Sequence, residues 1–211
     1  MSVKKKTDWN KYYSNNSLIV PFTRKITTKV LLDCFKQYFQ SNSEINICEL
    51  GGGNSCFYDP ISLNFPFINY TIIDNNKLSV DLFLNKTRTK KTEAFLRNLL
   101  KDNLPKKKFD LVFSVGLIEH FDEIGTAKII DSHISLLKKD GILLITFPTP
   151  TFLYKTSRFL ISVIGKWKFY DERPLNFLEV EKTLLKKTKI ISKQINWKIF
   201  LTQGIIVAVK K

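Results

Sequence analysis

A carboxylate followed by three consecutive glycines is the part of the sequence whose residue types most clearly indicate chemistry. The apolar stretch Ile45–Leu50 has strand character, contains Glu49, and runs directly into Gly51, Gly52 and Gly53. Glycine lets a backbone take positive φ and approach a ligand closely. A strand, a glycine-rich turn and a helix are the units with which α/β folds hold nucleoside-like cofactors. This stretch therefore predicts a binding site for such a cofactor.

Two familiar phosphate-binding motifs do not fit this turn. The dinucleotide motif G-x-G-x-x-G is matched by Gly51 and Gly53, but its third glycine position holds Cys56. The P-loop motif requires glycine, lysine and a hydroxyl residue in succession, and no such triplet follows these glycines. Both phosphate-binding interpretations are therefore weakened.

Three later segments extend the pattern in order along the chain. The predicted second strand, Tyr70–Asp74, ends on a carboxylate one βαβ repeat after Glu49. Phe109–Val115 is continuously apolar apart from Asp110 and Ser114, as expected for a parallel strand buried on both faces. Ile142–Phe147 is a further buried strand that follows a polar turn. Together these segments predict a parallel sheet.

These motifs resemble those of the Rossmann-like (class I) S-adenosylmethionine (SAM)-dependent methyltransferases. Glu49–Ser55 is similar to the family's E-x-G-x-G motif, and Asp74 lies where the family has an acid for the ribose hydroxyls. Phe109–Phe121 resembles the fourth-strand motif, including its Glu-His pair, and Leu136–Ile145 resembles the turn into the fifth strand. The resemblance covers about residues 45–150. It departs from the family pattern at Ser55, where glycine is common, and at Asn54.

The resemblance implies SAM as the methyl donor, S-adenosylhomocysteine (SAH) as the product, and no metal. SAM carries an ammonium and a sulfonium, which favour nearby carboxylates, and Asp74 can accept hydrogen bonds from both ribose hydroxyls. A helix cap beside Asn75 is the alternative role for Asp74. An adenine contact from Asp102 or Asp81 is left open. The residues implied to bind the cofactor are Glu49, Gly51, Gly52, Gly53, Asn54, Asp74, Asn75, Ser114, Val115, Gly116 and Glu119.

His120 is the candidate catalytic residue, because it follows the fourth strand and a base assists methyl transfer to a hydroxyl. Shaping of the pocket is the alternative role for His120. His133, the other histidine of the chain, lies in the middle of a predicted helix and is expected to be structural. Arg173 is a candidate clamp for an anionic acceptor, with a salt bridge to Asp171 or Glu172 as its alternative role. The candidate acceptor-binding residues are Tyr12, Tyr13, Arg24, Tyr154 and Arg173.

The elements that must position these residues form an α/β fold. We expect a three-layer α/β/α sandwich around a Rossmann-like, mostly parallel seven-stranded sheet with a C-terminal antiparallel strand. The whole chain is expected to be one methyltransferase domain. Its parts are an N-terminal cap with the first helix (1–44), the cofactor-binding core (45–150), a lid insertion (151–175), and a C-terminal helix with a hairpin (176–211).

Three predicted elements are less regular than the rest. Apolar spacing predicts a first helix over Thr27–Gln40 and another over Thr89–Leu104. The third strand is not obvious and is placed near Val80–Leu84 or around Leu99–Lys101. Thr151–Trp167 forms an apolar, basic-edged helix. That helix could be a lid, a dimer surface or an interfacial membrane helix, and the first two uses are favoured.

The formal net charge of +15 comes mainly from scattered lysines, with only five arginines among 34 basic residues. Nucleic-acid recognition favours arginine, so a nucleic-acid partner is not expected. A small anionic acceptor or an anionic membrane surface uses the same charge. The chain has no apolar run of about 20 residues and no secretory signal at its N-terminus, and its three cysteines lack metal-ligand spacing. A cytoplasmic protein, monomeric or homodimeric, is expected.

The expected activity is O-methylation of a small hydroxylated or phosphorylated metabolite. The chain is similar to small bacterial enzymes of surface-polysaccharide biosynthesis, which implies a sugar or a nucleotide-linked precursor of a capsule or O-antigen. The alternatives are an RNA or protein methyltransferase and a SAM-binding or scaffold protein without turnover.

Overall fold

A seven-stranded sheet forms the centre of the computed structural model, which describes residues 6–14, 20–88 and 91–211. The strand order is β3-β2-β1-β4-β5-β7-β6, and all strands are parallel except β7, which is antiparallel to β5 and β6. This confirms the predicted sheet. The strands are β1 (Ile45–Leu50), β2 (Ile68–Asp74), β3 (Thr92–Leu96), β4 (Phe109–Val115), β5 (Leu137–Pro148), β6 (Thr188–Asn196) and β7 (Gln203–Lys210).

Helices cover both faces of the sheet. One buried apolar cluster joins one face to α2, α3 and α4, and a second cluster joins the other face to α5 and α7. The predicted three-layer arrangement is therefore confirmed. The helices are α1 (Trp9–Ser14), α2 (Val20–Phe35), α3 (Tyr58–Asn64), α4 (Lys77–Lys86), α5 (Glu123–Leu136), α6 (Phe152–Val163) and α7 (Phe177–Leu184), with a 3-10 turn at Ile118–His120.

The third strand corrects the sequence prediction. Thr92–Leu96 pairs in parallel with the end of β2 as an edge strand, so the predicted helix over Thr89–Leu104 is wrong. Both predicted positions of the strand are also wrong, since Val80–Leu84 belongs to α4 and Leu99–Lys101 lies in the following loop. An edge strand is covered on fewer sides than a central one, so it lacks the continuous apolar run by which central strands are recognised.

The N-terminal region differs from its prediction in position. The first long helix spans Val20–Phe35, whereas the sequence predicts Thr27–Gln40. Tyr38 and Phe39 still pack against the core, but from a turn in which the Phe39 N–H donates to Phe35 O. Apolar spacing alone could not distinguish this turn from a further helical turn. The parts of the predicted N-terminal cap at residues 1–5 and 15–19, and residues 89–90, lie outside the described residues.

His133 is buried inside α5 and holds the helix to the sheet. Its Nδ1 lies 2.7 Å from Ile129 O, and its Nε2 lies 2.9 Å from Ser114 Oγ. Nδ1 must donate to the carbonyl, so the Ser114 hydroxyl donates to Nε2 of a neutral ring. Burial lowers the pKa of His133 to about 4. These contacts agree with the expectation that His133 is a structural residue.

His133 should make folding sensitive to acid. Between about pH 6.5 and pH 4 the unfolded chain binds a proton at this residue and the native protein does not, so stability is lost as the pH falls through that window. At pH 5 the loss is about 2 kcal/mol relative to pH 7. Buried carboxyls such as Glu49 act in the opposite sense. The contribution is therefore measured as the difference in pH dependence between wild type and His133→Gln, by urea unfolding at pH 7 and pH 5. Equal pH dependence in the two proteins would contradict it.

Candidate active site

The loop after β1 is tied directly to the end of β2. Gly51 and Gly53 have positive φ of 66° and 49°. The Gly53 N–H donates to Asp74 Oδ2 over 2.8 Å, and the Asn76 N–H donates to Asp74 Oδ1 over 2.8 Å. Burial raises the pKa of Asp74, and these backbone donors oppose the rise. The cap of α4 is Asn76, whose side chain accepts from Ser79 N, so the alternative that Asp74 is the helix cap is wrong.

Glu49 is buried beneath this loop in a polar network. Tyr70 donates its hydroxyl to Glu49 Oε2 over 2.6 Å, and Ser55 Oγ lies 3.2 Å from the same hydroxyl. Ser55 also accepts from Tyr58 N at the start of α3. Burial raises the pKa of Glu49 to about 7, and the bonds from Ser55 and Tyr70 oppose the rise. Sequence reasoning missed Tyr70, although a tyrosine inside a buried strand needs a partner for its hydroxyl.

Gly52 lies so close to Glu49 that a larger residue would have to displace the carboxyl group. A Cβ at this position would come within 2.7 Å of the Glu49 carboxyl carbon. Gly52→Ala should therefore destabilise the protein by about 1–3 kcal/mol and weaken cofactor binding by displacing the buried carboxyl. Urea unfolding and calorimetry measure the two effects. The control is Gly165→Ala, where the positive φ makes alanine costly but nothing lies within 4 Å of the added Cβ. Gly165→Ala should leave cofactor binding unchanged, and an equal loss of cofactor affinity in both variants would contradict the steric account.

The end of β4 brings a second carboxylate to the same edge of the sheet. Gly116 has positive φ, and the Glu119 carboxylate packs close to it. Glu119 is buried, and burial raises its pKa well above the ordinary value, with the charges of Glu172 and Asp171 adding to the rise. The side chain of Ser114 is directed to His133, away from this edge. Ser114 can therefore serve a ligand only through its backbone.

His120 pairs with Asp171, a residue that sequence reasoning connected only with Arg173. His120 Nδ1 lies 3.1 Å from Asp171 Oδ1, and the His120 side chain is only 9% exposed. Burial lowers the pKa of His120, and Asp171 opposes that change. Burial would raise the pKa of Asp171, but hydrogen bonds from Thr7 and His120 lower it. The arrangement is a neutral imidazole oriented by an ionised carboxylate, which is the geometry of a general base.

The short helix α1 covers this edge with aromatic side chains. The Tyr13 hydroxyl lies against the glycine loop, because a Cβ added to Gly53 would be 2.0 Å from it. Burial raises the pKa of Tyr13, and the charges of Asp74 and Glu49 add to the rise. Trp9, which sequence reasoning did not select, packs edge-on against His120 with ring centroids 5.1 Å apart. Tyr13 thus lies at the predicted cofactor side, and Trp9 lies at the histidine.

The other predicted acceptor-binding residues have partners within the protein. Arg24 donates to the Tyr12 hydroxyl over 3.1 Å. Tyr154 is buried and donates its hydroxyl to Glu172. Arg173 forms a salt bridge with Glu179 and donates to Phe121 O and Thr126 Oγ1. The predicted pairing of Arg173 with Asp171 or Glu172 is therefore wrong, because the start of α7 presents Glu179 to the guanidinium.

Two further acids were candidates for an adenine contact. Asp102 lies in the loop after β3 and accepts from Asn98 N over 2.6 Å. Asp81 lies on α4, where it forms an exposed salt bridge with Lys77. The loop after β3 leads away from the same edge of the sheet as Asp74, since the Arg97 N–H donates to Asp74 O. Asp102 is thus the better placed of the two.

The donor and acceptor groups at this edge fit a positively charged ligand that carries hydroxyls. Within the described parts of the chain, Asn54 Oδ1 and Glu119 Oε2 are buried acceptor atoms without a hydrogen-bond partner. They belong to the segments that follow β1 and β4. A buried acceptor without a partner is unfavourable, and a ligand N–H or O–H group satisfies it. Together with Asp74 they suit the ammonium and ribose of SAM.

Several solved structures share this fold. Magnesium protoporphyrin IX methyltransferase from Synechocystis PCC 6803, solved with bound SAH, superposes with a TM-score of 0.71 at 15% identity, over 96% of this chain and 93% of that one. The N-methyltransferase NodS from Bradyrhizobium japonicum WM9 gives 0.65 at 14% identity, over 90% and 88% of the two chains. An O-methyltransferase family protein from Burkholderia thailandensis gives 0.66 at 15% identity, over 88% of this chain and 56% of that one.

Sequence comparison identifies the family. No curated protein matches this chain in sequence. The family model described as a methyltransferase domain matches residues 23–181. That range includes the glycine loop, Asp74, the His120–Asp171 pair and all strands from β1 to β5. The chain therefore belongs to the methyltransferase domain family.

Proposed function

We propose that this protein transfers the methyl group of SAM to a hydroxyl oxygen of a small, uncharged acceptor, with His120 as the general base. The observation that carries the proposal is the His120–Asp171 pair, which lies under Trp9 of α1, the same short helix whose Tyr13 lies against the glycine loop. Methyl transfer to an amine that is already neutral needs no such base, whereas an alcohol must lose its proton as the oxygen attacks.

The tautomer of His120 follows from its partner. An ionised Asp171 can only accept, so His120 Nδ1 carries the hydrogen and Nε2 keeps its lone pair. Because burial lowers the pKa of His120, the ring is neutral at pH 7 and can accept a proton. SAM supplies the methyl group and its own leaving group, so the remaining tasks of the protein are orientation and exclusion of water.

The cofactor is assigned to the edge formed by β1, β2 and β4. In this assignment Asp74 accepts hydrogen bonds from the ribose hydroxyls. Glu49 acts indirectly, because it lies beneath the glycine loop and stabilises it. Trp9 and Tyr13 of α1 cover this edge and exclude water. The residues proposed to bind SAM are Glu49, Gly51, Gly52, Gly53, Asn54, Asp74, Asn75, Ser114, Val115, Gly116 and Glu119, with Ser114 acting through its backbone.

The charges around His120 narrow the choice of acceptor. The Asp171 carboxylate pairs with His120, and carboxyl oxygens of Glu119 and Glu172 lie within 4.8 Å of a ring nitrogen of His120. The nearby Arg158 and Arg173 are already engaged by Glu172 and Glu179. An anionic group beside the reacting hydroxyl would be repelled by the ionised carboxylate of Asp171. The proposed acceptor is therefore a neutral hydroxyl, such as that of a sugar, and a phosphate on a nucleotide-linked sugar would have to lie away from these acids.

A transfer assay with radiolabelled SAM tests the proposal. The acceptors are neutral sugars and other alcohols, the corresponding amines, phosphorylated sugars and RNA. We expect label in methyl ethers of neutral hydroxyls. Label found only in amines or in RNA would contradict the proposal, and label only in phosphorylated acceptors would contradict the argument from local charge.

A further inference from the structure

The outward face of α6 is apolar. Phe152, Phe159 and Val163 lie at helical positions i, i+7 and i+11, and their side chains are 86%, 65% and 68% exposed. Leu160 and Ile164 extend this face and are 58% and 62% exposed. Contiguous exposed apolar side chains on one helix face are unfavourable in water and mark a surface that another phase or molecule covers.

The inward face of the same helix combines the half-buried apolar residues Leu153 and Ile161 with polar groups that hold the helix in place. Tyr154 is buried and donates to Glu172. Arg158 donates to Glu172 O over 3.1 Å and packs over the ring of Trp167, 4.8 Å from its centroid. These contacts fix the orientation of the helix, because rotation of its apolar face into the protein would break the hydrogen bonds of Tyr154 and Arg158 to Glu172.

The loop between β6 and β7 enlarges the apolar face. Trp197 and Phe200 are 60% and 74% exposed. Thr202 Oγ1 at the end of this loop lies 2.7 Å from Thr151 Oγ1, the cap of α6. The aromatic loop and the start of α6 are thus held side by side. We call the outward face of α6 and this loop the α6 surface.

Positive charge surrounds the α6 surface. Residues 151–170 contain no acidic residue, and Lys155, Lys166 and Lys168 are exposed. None of the ion pairs found among the described residues involves these three lysines. A second copy of the chain, related by a two-fold axis, would bring the same lysines together and repel. An anionic bilayer matches both the apolar face and the charge around it.

We propose that the α6 surface docks the protein on an anionic lipid bilayer, with the exposed aromatic and aliphatic side chains inserted at the level of the headgroups. None of the described helices is long and apolar enough to cross a membrane, so the contact is interfacial. The inward face of α6 holds Glu172, next to Asp171 and His120. Docking therefore brings the candidate active site close to the membrane surface.

Vesicle flotation at low salt tests the proposal. The vesicles contain either phosphatidylcholine alone or equal parts of phosphatidylcholine and phosphatidylglycerol. Wild type should float with the anionic vesicles and not with the neutral ones. Phe159→Ser with Val163→Ser should lower partitioning at least about tenfold, and Lys166→Gln with Lys168→Gln about 30-fold.

The control variant carries Leu63→Ser and Phe67→Ser. These residues are 83% and 59% exposed and lie before β2, at the opposite edge of the sheet, so binding should not change. Calorimetry with SAH establishes that each variant is folded. Equal binding to both vesicles, or equal loss in the control, would overturn the proposal. So would a wild-type dimer that Phe159→Ser with Val163→Ser converts to a monomer, because the α6 surface would then bind a second copy.

Discussion

Replacing His120 by asparagine is expected to lower kcat for methyl transfer by about 10²–10⁴-fold, which is the usual contribution of a general base. The affinity for SAH should stay within a few-fold, because His120 packs against Trp9 and Phe169 and pairs with Asp171, whereas Asp74 is the residue that bonds the glycine loop. Single-turnover rates with radiolabelled SAM, together with calorimetry, measure the two quantities separately.

The matched control is His133→Gln. This residue is also a buried histidine with a lowered pKa, but it is held between Ile129 and Ser114 inside α5. Its replacement should reduce stability and leave turnover unchanged. If both variants lost activity equally, or if His120→Asn kept full activity, His120 would be a residue that only shapes the pocket.

The pH profile tests the part played by Asp171. Turnover requires neutral His120, so kcat should be flat at pH 7 and fall in acid, below the ordinary pKa of histidine because burial lowers the value here. The charge of Asp171 opposes that lowering. In Asp171→Asn the acid limb should therefore move to still lower pH while the plateau falls, because the ring also loses its fixed tautomer. An unchanged acid limb would show that Asp171 does not act through His120.

The strands that sequence predicted best are those buried on both faces. Ile45–Leu50 and Phe109–Val115 have the predicted bounds because central parallel strands leave a continuous apolar run. The edge strand Thr92–Leu96 leaves no such signal, since its residues are half-buried or exposed and its pairing with β2 decides its conformation. Tertiary pairing of this kind is absent from local sequence.

The residues of the candidate site also divide into those that the sequence predicts and those that it does not. Residues within one motif, such as Glu49 with its glycines and Glu119 with His120, could be found because their spacing along the chain is fixed. Asp171 could not be found, since it reaches His120 from 51 positions away. The insertion after β5 brings this carboxylate to the histidine, and neither composition nor periodicity predicts where an insertion folds back.

Asp74→Ala is expected to weaken SAM binding at least about 100-fold, because a carboxylate bonded to two ribose hydroxyls contributes about 1.5–3 kcal/mol for each bond. The exposed carboxylate of Asp131, which pairs with Lys187 on the far side of α5, provides the control. Asp131→Ala should bind SAM as wild type does. Calorimetry measures both variants, and equal affinity of Asp74→Ala and wild type would remove Asp74 from the site.

Weaker SAM binding alone would not show whether Asp74 contacts the ribose or only holds the glycine loop in place. Asp74 also accepts hydrogen bonds from Gly53 and Asn76, so its removal loosens the loop. Two ligands make the separation: SAH and its 2′,3′-dideoxy analogue. Wild type should prefer SAH strongly, since Asp74 is left without the ribose hydroxyls when the analogue binds. In Asp74→Ala the preference for SAH over the dideoxy analogue should nearly vanish, because the carboxylate that bonds the ribose hydroxyls has been removed. If Asp74 only holds the loop, both ligands weaken equally and the preference stays, so the ratio of the two affinities decides between the roles.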